Sequence, residues 1–156
     1  MPLSSQDASL WSRPQIQEAE QVLSTALAQG PLARYQIEAA IQSAHVARIL
    51  AGRDNLEAIV TLYDALVAVM PSVGALIGRA AAIAEHRGAG MGLLELDEID
   101  HDFIQTHQPY WAVRGDFLAK LNCVDEAFTA YTYAIGLTED PAVRQFLLRK
   151  RTALIN

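Results

Sequence analysis

The chain has 156 residues, 51% of them hydrophobic, enough to bury the core of one domain and too apolar to stay disordered. Its net charge of −6 argues against direct nucleic-acid binding, which needs clustered Lys and Arg against phosphate. Cys123 is the sole cysteine, which excludes an intrachain disulfide and a cysteine-based zinc site and suits a reducing compartment.

Residues 1–12 read as a lead-in with Leu10 and Trp11 as apolar anchors, without the basic-then-apolar pattern of a signal peptide. No apolar run approaches the roughly 20 residues of a membrane helix, so a soluble cytoplasmic protein is expected. A first helix is predicted over 14–29, followed by Gly30 just past its end and Pro31 in the first turn of the next. The second runs over 32–51 and closes at Gly52. Asp54 and Glu57 have capping-box spacing and open a third helix, which ends near Met70. Pro71 breaks the pattern, and Ser72 caps a fourth helix that ends near Arg87 at Gly88. A shorter fifth helix covers 91–99, and the acidic stretch from Asp97 to Asp102 leads into a loop. Pro109 opens a sixth helix to about Leu121, Asn122 caps a seventh to about Leu137, and Asp140-Pro141 opens the eighth. No segment shows the period-2 alternation of a strand. Short links between helices imply antiparallel neighbours in an all-α fold.

A step of 34 residues relates these helices. Ala47, Ala81 and Gly115 align as small residues. Leu50, Ala84 and Leu118 align as apolar ones, as do Ile59, Leu93 and Ala127, and Leu62, Leu96 and Ala130. Tyr63 and Tyr131 fall two steps apart, with Asp97 between them. This resembles the tetratricopeptide motif, whose period is 34 residues. Residues 108–141 match it best, through Trp111, Gly115, Leu118, Ala127, Tyr131 and Ala134. Residues 40–73 match through Ala47, Leu50, Tyr63 and Pro71, while 74–107 is degenerate because Asp97 and Asp100 replace packing residues. The expected domain, 13–156, is a right-handed tetratricopeptide-like superhelix of about eight helices with capping helices at each end.

Several pieces, in order, also resemble the C-terminal tetratricopeptide-like extension of an extracytoplasmic-function (sigma-70-type) RNA polymerase sigma factor family. They are Gln6-Asp7 with Leu10-Trp11, Gly30-Pro31, Tyr35-Gln36, Ala39-Ala40-Ile41, His45 and Leu62-Tyr63-Asp64. Further on they are Arg79-Ala80, Ala84-Glu85, Gly92-Leu93, Leu96-Asp97, Arg114, Asp116, Glu126-Ala127, Ala130-Tyr131 and Phe146-Leu147 with Arg151. Gly78 departs from the Asn, and Trp111 from the His, that the family tends to carry. Nothing in the chain resembles the family's promoter-reading and polymerase-binding domains. The resemblance implies a cytoplasmic bacterial regulator of transcription initiation. Its partners would be the sigma DNA-binding domains, RNA polymerase or another protein.

No P-loop, nucleophile elbow or dinucleotide fingerprint is present, and no catalytic residue, cofactor or metal is expected. His101 and His107, near Asp97, Asp100 and Asp102, either hold a divalent cation or belong to a solvated acidic loop. In a tetratricopeptide stack the first helix of each pair lines a concave groove. By register Ile41, Ala44, Arg48, Glu85, Asp116, Ala119 and Lys120 would face it, with Arg48 and Lys120 suited to a partner carboxylate and Glu85 and Asp116 to a basic segment. Arg79 and Arg114 sit among apolar neighbours, as buried cations paired with a carboxylate such as Asp64, Glu85 or Asp116, or as partner contacts. With Tyr35, Gln36, His45 and Tyr63 they form a candidate polar network or pocket. The cluster Arg149-Lys150-Arg151 complements a helix dipole or touches an acidic partner. Rival readings are a free-standing peptide-binding adaptor and a small-molecule sensor with a pocket at Tyr35, Tyr63 and Arg79.

Overall fold

The computed structural model describes residues 32–156 and, ahead of them, Gln17, Glu18 and Gln21, which are helical. The remainder of the expected helix over 14–29, the Gly30-Pro31 boundary and the lead-in lie outside the described residues. The described residues are all-α with no strand, and residues 32–156 hold eight helices. In chain order these are α1 (Ala33–Ala51), α2 (Leu56–Val69), α3 (Val73–Arg87), α4 (Ala89–Asp97), α5 (His101–Ile104), α6 (Gln108–Lys120), α7 (Val124–Leu137) and α8 (Pro141–Ala153). They fall into two compact units, one ending at Ala75 and one running from Leu76 to Asn156.

In the first unit α1 packs against α2. Ala33, Ile37 and Ile41 recur every fourth residue and so share one face of α1, which meets Leu62, Ala65 and Leu66. Gly52, at φ 61°, ends α1 by donating its N–H to the Arg48 carbonyl at 3.1 Å. The expected Asp54/Glu57 capping box does not form. The helix starts at Leu56, which puts Asn55 in the cap position, and its side chain makes no cap bond. Asn55 instead turns inward, 3% exposed, and its Nδ2 donates to the Ala44 carbonyl at 2.8 Å, tying the turn to α1. Its Oδ1 is buried with no hydrogen-bond partner. Leu50 was expected to pack, but it is 80% exposed and shares the solvent face of α1 with Tyr35 and Val46. Ser72 accepts from the Ala75 N–H at 3.1 Å and so caps the start of α3.

In the second unit α3 ends at Gly88, whose N–H reaches the Ala84 carbonyl at 2.9 Å. The next helix starts immediately, at Ala89 rather than residue 91. Gly92 lets it lie close on α3: a Cβ there would come within 2.5 Å of the Ala84 Cβ and 2.9 Å of the Ala80 carbonyl oxygen. The acidic stretch is not only loop. Asp100 accepts from the Asp102 N–H at 3.0 Å and caps the single turn of α5, whose Ile104 is buried and accepts from Trp111 Nε1 at 3.1 Å.

Helices α6 and α7 form an antiparallel hairpin. Gly115 lies against the Tyr131 ring, 2.8 Å separating an imagined Cβ from two ring carbons, and Leu118 lies beside Ala127 and Ala130. Five of the six motif positions are buried, and the half-buried Trp111 bridges the cluster around Leu118 and that around Tyr131, Ala134 and Leu147. Asn122 does not cap α7. It adopts φ 60° and ends α6, with Cys123 N–H donating to the Leu118 carbonyl at 2.9 Å and Asn122 N–H to Ala119 at 3.0 Å. Asparagine tolerates this left-handed conformation, and the pattern is a Schellman motif. Asp140 Oδ1 accepts from Ala142 and Val143 at 2.8 and 3.4 Å and, with Pro141, starts α8.

Candidate functional site

Within the second unit α3, α6 and α8 line a groove of about 340 Å³. Alanines at 81 and 84 on α3 and at 112 on α6 give it a shallow apolar floor. The half-exposed Phe146 on α8 adds an aromatic wall, and the charged groups are Glu85, Asp116, Lys120 and Lys150. Two lysines share one carboxylate. Lys120 Nζ lies 2.8 Å from Asp116 Oδ2, and Lys150 Nζ lies 3.1 Å from Oδ1 and 5.7 Å from the Phe146 ring centroid. Burial works against the Asp116 carboxylate, but the hydrogen bonds and charges of Lys120 and Lys150 outweigh it and hold the carboxyl below its ordinary value. Tyr131 also borders the groove. Burial first, then the Asp116 charge, pushes its phenol up to about 12.

Of the residues expected on a concave face, Glu85, Asp116 and Lys120 are brought together in this groove. Ala119 is not among them, because it packs beside Leu118 and Ala127 in the hairpin core. Ile41 and Ala44 belong to the first unit and are turned into its core: Ile41 is 3% exposed, and Ala44 packs against the same cluster. Arg48 lies with Arg53 and Asp54 around a shallow depression at the end of α1. Sequence reasoning missed Lys150 as a groove residue, having grouped it with its basic neighbours. The available signal was that it stands 34 residues after Asp116. Arg151, by contrast, turns onto α7, with its guanidinium 5.0 Å from the Phe128 ring centroid and a hydrogen bond to Thr132 Oγ1 at 3.1 Å.

Arg79 and Arg114 are half-buried rather than buried, at 30% and 22% side-chain exposure. Arg79 pairs with Glu95, joining α3 to α4. Arg114 pairs with Asp97 at 2.5 Å and donates to the Tyr110 hydroxyl at 3.3 Å, joining α6 to α4. The expected partner Asp116 is occupied by the lysines. Burial opposes the Arg114 charge, but the Asp97 hydrogen bond, electrostatic attraction to Tyr110 and Asp97, and the Tyr110 hydrogen bond overcome it and raise its pKa. Asp97 looked like a defect in the repeat, and the structure gives it this counter-ion role.

A larger depression of about 540 Å³ lies in the first unit, lined by Tyr63, Ile41, Gln42 and Ser72 among others. Its charged groups, Arg34 and Glu38, satisfy each other at 3.1 Å. Tyr63 meets His45 edge-on, with 6.5 Å between ring centroids. Tyr35 does not line this depression. It is 65% exposed, with the Arg34 guanidinium 5.8 Å from its ring centroid, and Gln36 is exposed beside it. His101 contacts Gln105 at 3.2 Å, and among the described residues no group of three His, Cys, Asp or Glu side chains could hold a metal. No described helix is long and apolar enough to cross a membrane.

The groove and its helices define a class: an all-α domain with a solvent-open channel over three helices. An uncharacterized protein of Rhizobium meliloti (strain 1021) is 30% identical over 145 residues, 93% of this chain, and the chain spans about a third (34%) of that relative's length. No family model matches the chain. No solved structure matches it.

Proposed function

We propose that this chain is the regulatory, non-catalytic interaction domain of a bacterial extracytoplasmic-function sigma factor, built as a right-handed tetratricopeptide-like stack. In the cytoplasm it modulates transcription initiation by docking onto sigma DNA-binding domains, RNA polymerase or another protein. One observation carries the reading. Helices α3, α6 and α8 start about one repeat apart in sequence and line one groove, and the ion pair between Asp116 and Lys150 joins positions 34 residues apart. An ordinary helical bundle gives no reason for register-equivalent residues to touch, whereas stacked repeats place them side by side. The sigma-factor part of the proposal rests on the ordered sequence resemblance. The greater length of the Rhizobium meliloti relative is consistent with a module inside a longer chain.

The test is in vitro transcription by core polymerase with extracytoplasmic-function sigma domains from the same genome, alone or joined to this chain. The joined chain is expected to change transcript yield several-fold, and Ala81→Trp, which fills the groove floor, to reverse that change in a chain that melts as the parent does. Equal yields with and without the chain, together with no binding to sigma domains or polymerase, refute the proposal.

A further inference from the structure

We infer that the groove over α3, α6 and α8 takes an amphipathic helix of a partner protein, one that presents an aliphatic side chain and, one turn away, a side-chain carboxylate. Lys120 and Lys150 are the specificity-determining residues, and Asp116 is the residue that positions them. This rests on the docking reading above and adds the chemistry of the partner.

Charge complementarity commits the groove to that occupant. Asp116 offers two carboxylate oxygens, and each is taken by a different lysine. Around Asp116, two ammonium groups over one carboxylate leave one positive charge in excess on the α6–α8 side of the groove, with the Glu85 carboxylate on α3. Each ammonium carries three donors and gives one to Asp116, so four N–H groups remain for a ligand or water. Both lysines are about half exposed at their side chains, so a partner reaches them without breaking the core. Glu85 on α3, the other charged group at the groove, already has an interaction of its own. The apolar half of the site is complementary in shape. The alanines at 81, 84 and 112 leave a channel between helices, and Phe146 stands half exposed beside Lys150. An aliphatic ridge of a partner helix fills a floor of small residues, as in other helix-in-groove complexes. A partner carboxylate then bridges Lys120 and Lys150, completing an alternating cluster of two cations and two anions. A lysine in its place meets the excess positive charge, and such like-charge rejection gives an interface its selectivity.

The test uses the full chain and two synthetic helical peptides, acetylated and amidated so that no terminal charge remains. Both carry leucines at i and i+4, and they differ only in a glutamate or a lysine one turn beyond. Fluorescence anisotropy is expected to show the glutamate peptide binding about tenfold or more tightly than the lysine peptide, with the preference shrinking as salt rises from about 50 mM to about 500 mM. Lys120→Ala with Lys150→Ala erases the preference, and Lys120→Arg with Lys150→Arg retains it, provided each variant melts as a folded helical protein. Asp116→Asn removes the group that holds both ammonium groups at the groove, so a folded Asp116→Asn chain is expected to bind the glutamate peptide more weakly despite its added positive charge; unchanged or tighter binding refutes the positioning role. The inference is overturned by equal binding of the two peptides, by binding of neither, or by a preference that survives the double alanine change. It is overturned equally by a peptide whose only carboxylate is its C-terminus matching the glutamate peptide. If the peptides fail while Ala81→Trp still reverses the transcriptional effect, only this inference falls. If Ala81→Trp has no effect there, the docking reading falls with it.

Discussion

Replacing Gly115 by leucine tests the register on which the groove depends. In a helix interior the change removes glycine's conformational penalty, a gain of about 1 kcal/mol. Against that stands a steric cost read from the coordinates. The first added carbon already lies 2.8 Å from two carbons of the Tyr131 ring, and three more heavy atoms follow it. The ring cannot retreat easily, because Tyr131 is 2% exposed and packed with Ala134 and Leu147. Overpacking of this kind ordinarily costs about 1–3 kcal/mol, and a ring this confined puts the cost at the upper end, so after the glycine gain a net loss of about 2 kcal/mol is expected. For a chain of this size that lowers Tm by about 4–8 °C. Urea unfolding followed by circular dichroism measures it as a lower midpoint at unchanged slope. Gly136 is the control: it sits in α7 with nothing within 4 Å of an imagined Cβ, so Gly136→Ala should stabilise by about 0.5–1 kcal/mol. Tyr131→Leu combined with Gly115→Leu should recover part of the loss, because the two positions touch. A Gly115→Leu chain within about 0.5 kcal/mol of the parent refutes the packing argument.

Three further outcomes follow from the same coordinates. The lowered pKa of Asp116 means its contribution is present above the ordinary carboxylate range and lost as pH falls through its folded value, so Asp116→Asn should be less stable than the parent at pH 7 with the gap closing in acid. The raised pKa of Tyr131 acts at the other end: its contribution is present below about pH 10 and lost as pH rises toward about 12, so Tyr131→Phe should show a flatter alkaline limb, and ultraviolet titration of the folded parent should find one phenol ionising at about pH 12. Asn55→Asp places a carboxylate against the Ala44 carbonyl in a buried turn, and thermal melts should show a loss of about 2 kcal/mol or more at pH 7 that lessens in acid.

The all-α class was legible because capping chemistry and periodicity agreed along most of the chain. Gly52, Ser72, Gly88 and Asp140-Pro141 all fall at helix boundaries. The boundaries that differ involve side chains with two uses. Asn55 and Asn122 each suit a helix start, but one is drawn inward by a carbonyl of α1 and the other is spent on the left-handed end of α6. The hairpin contact of Gly115 with Tyr131 was readable as a fixed offset, because small-against-large packing leaves its mark in residue size. The matching contact of Gly92 with Ala84 was not, since three glycines within five residues suggest a break rather than a close crossing. The groove was half legible. Asp116 and Lys120 are neighbours on one helix turn, whereas Lys150 arrives from α8 through tertiary packing, and a local reading of its basic neighbours concealed it.

Helix α4 is short, buries only Gly92 and Leu96, and is gripped from two sides by ion pairs, Arg79 to Glu95 and Arg114 to Asp97. Beyond the close packing of Gly92 on Ala84 and of Leu93 beside Leu118, its attachments are charged and half exposed, and dissolved ions weaken them. The α6–α7 hairpin has no such dependence, since its seam is a glycine against an aromatic ring. Ionic strength therefore acts on this unit unevenly: it slackens α4 while the neighbouring seam holds, giving the domain an adjustable edge beside a fixed one.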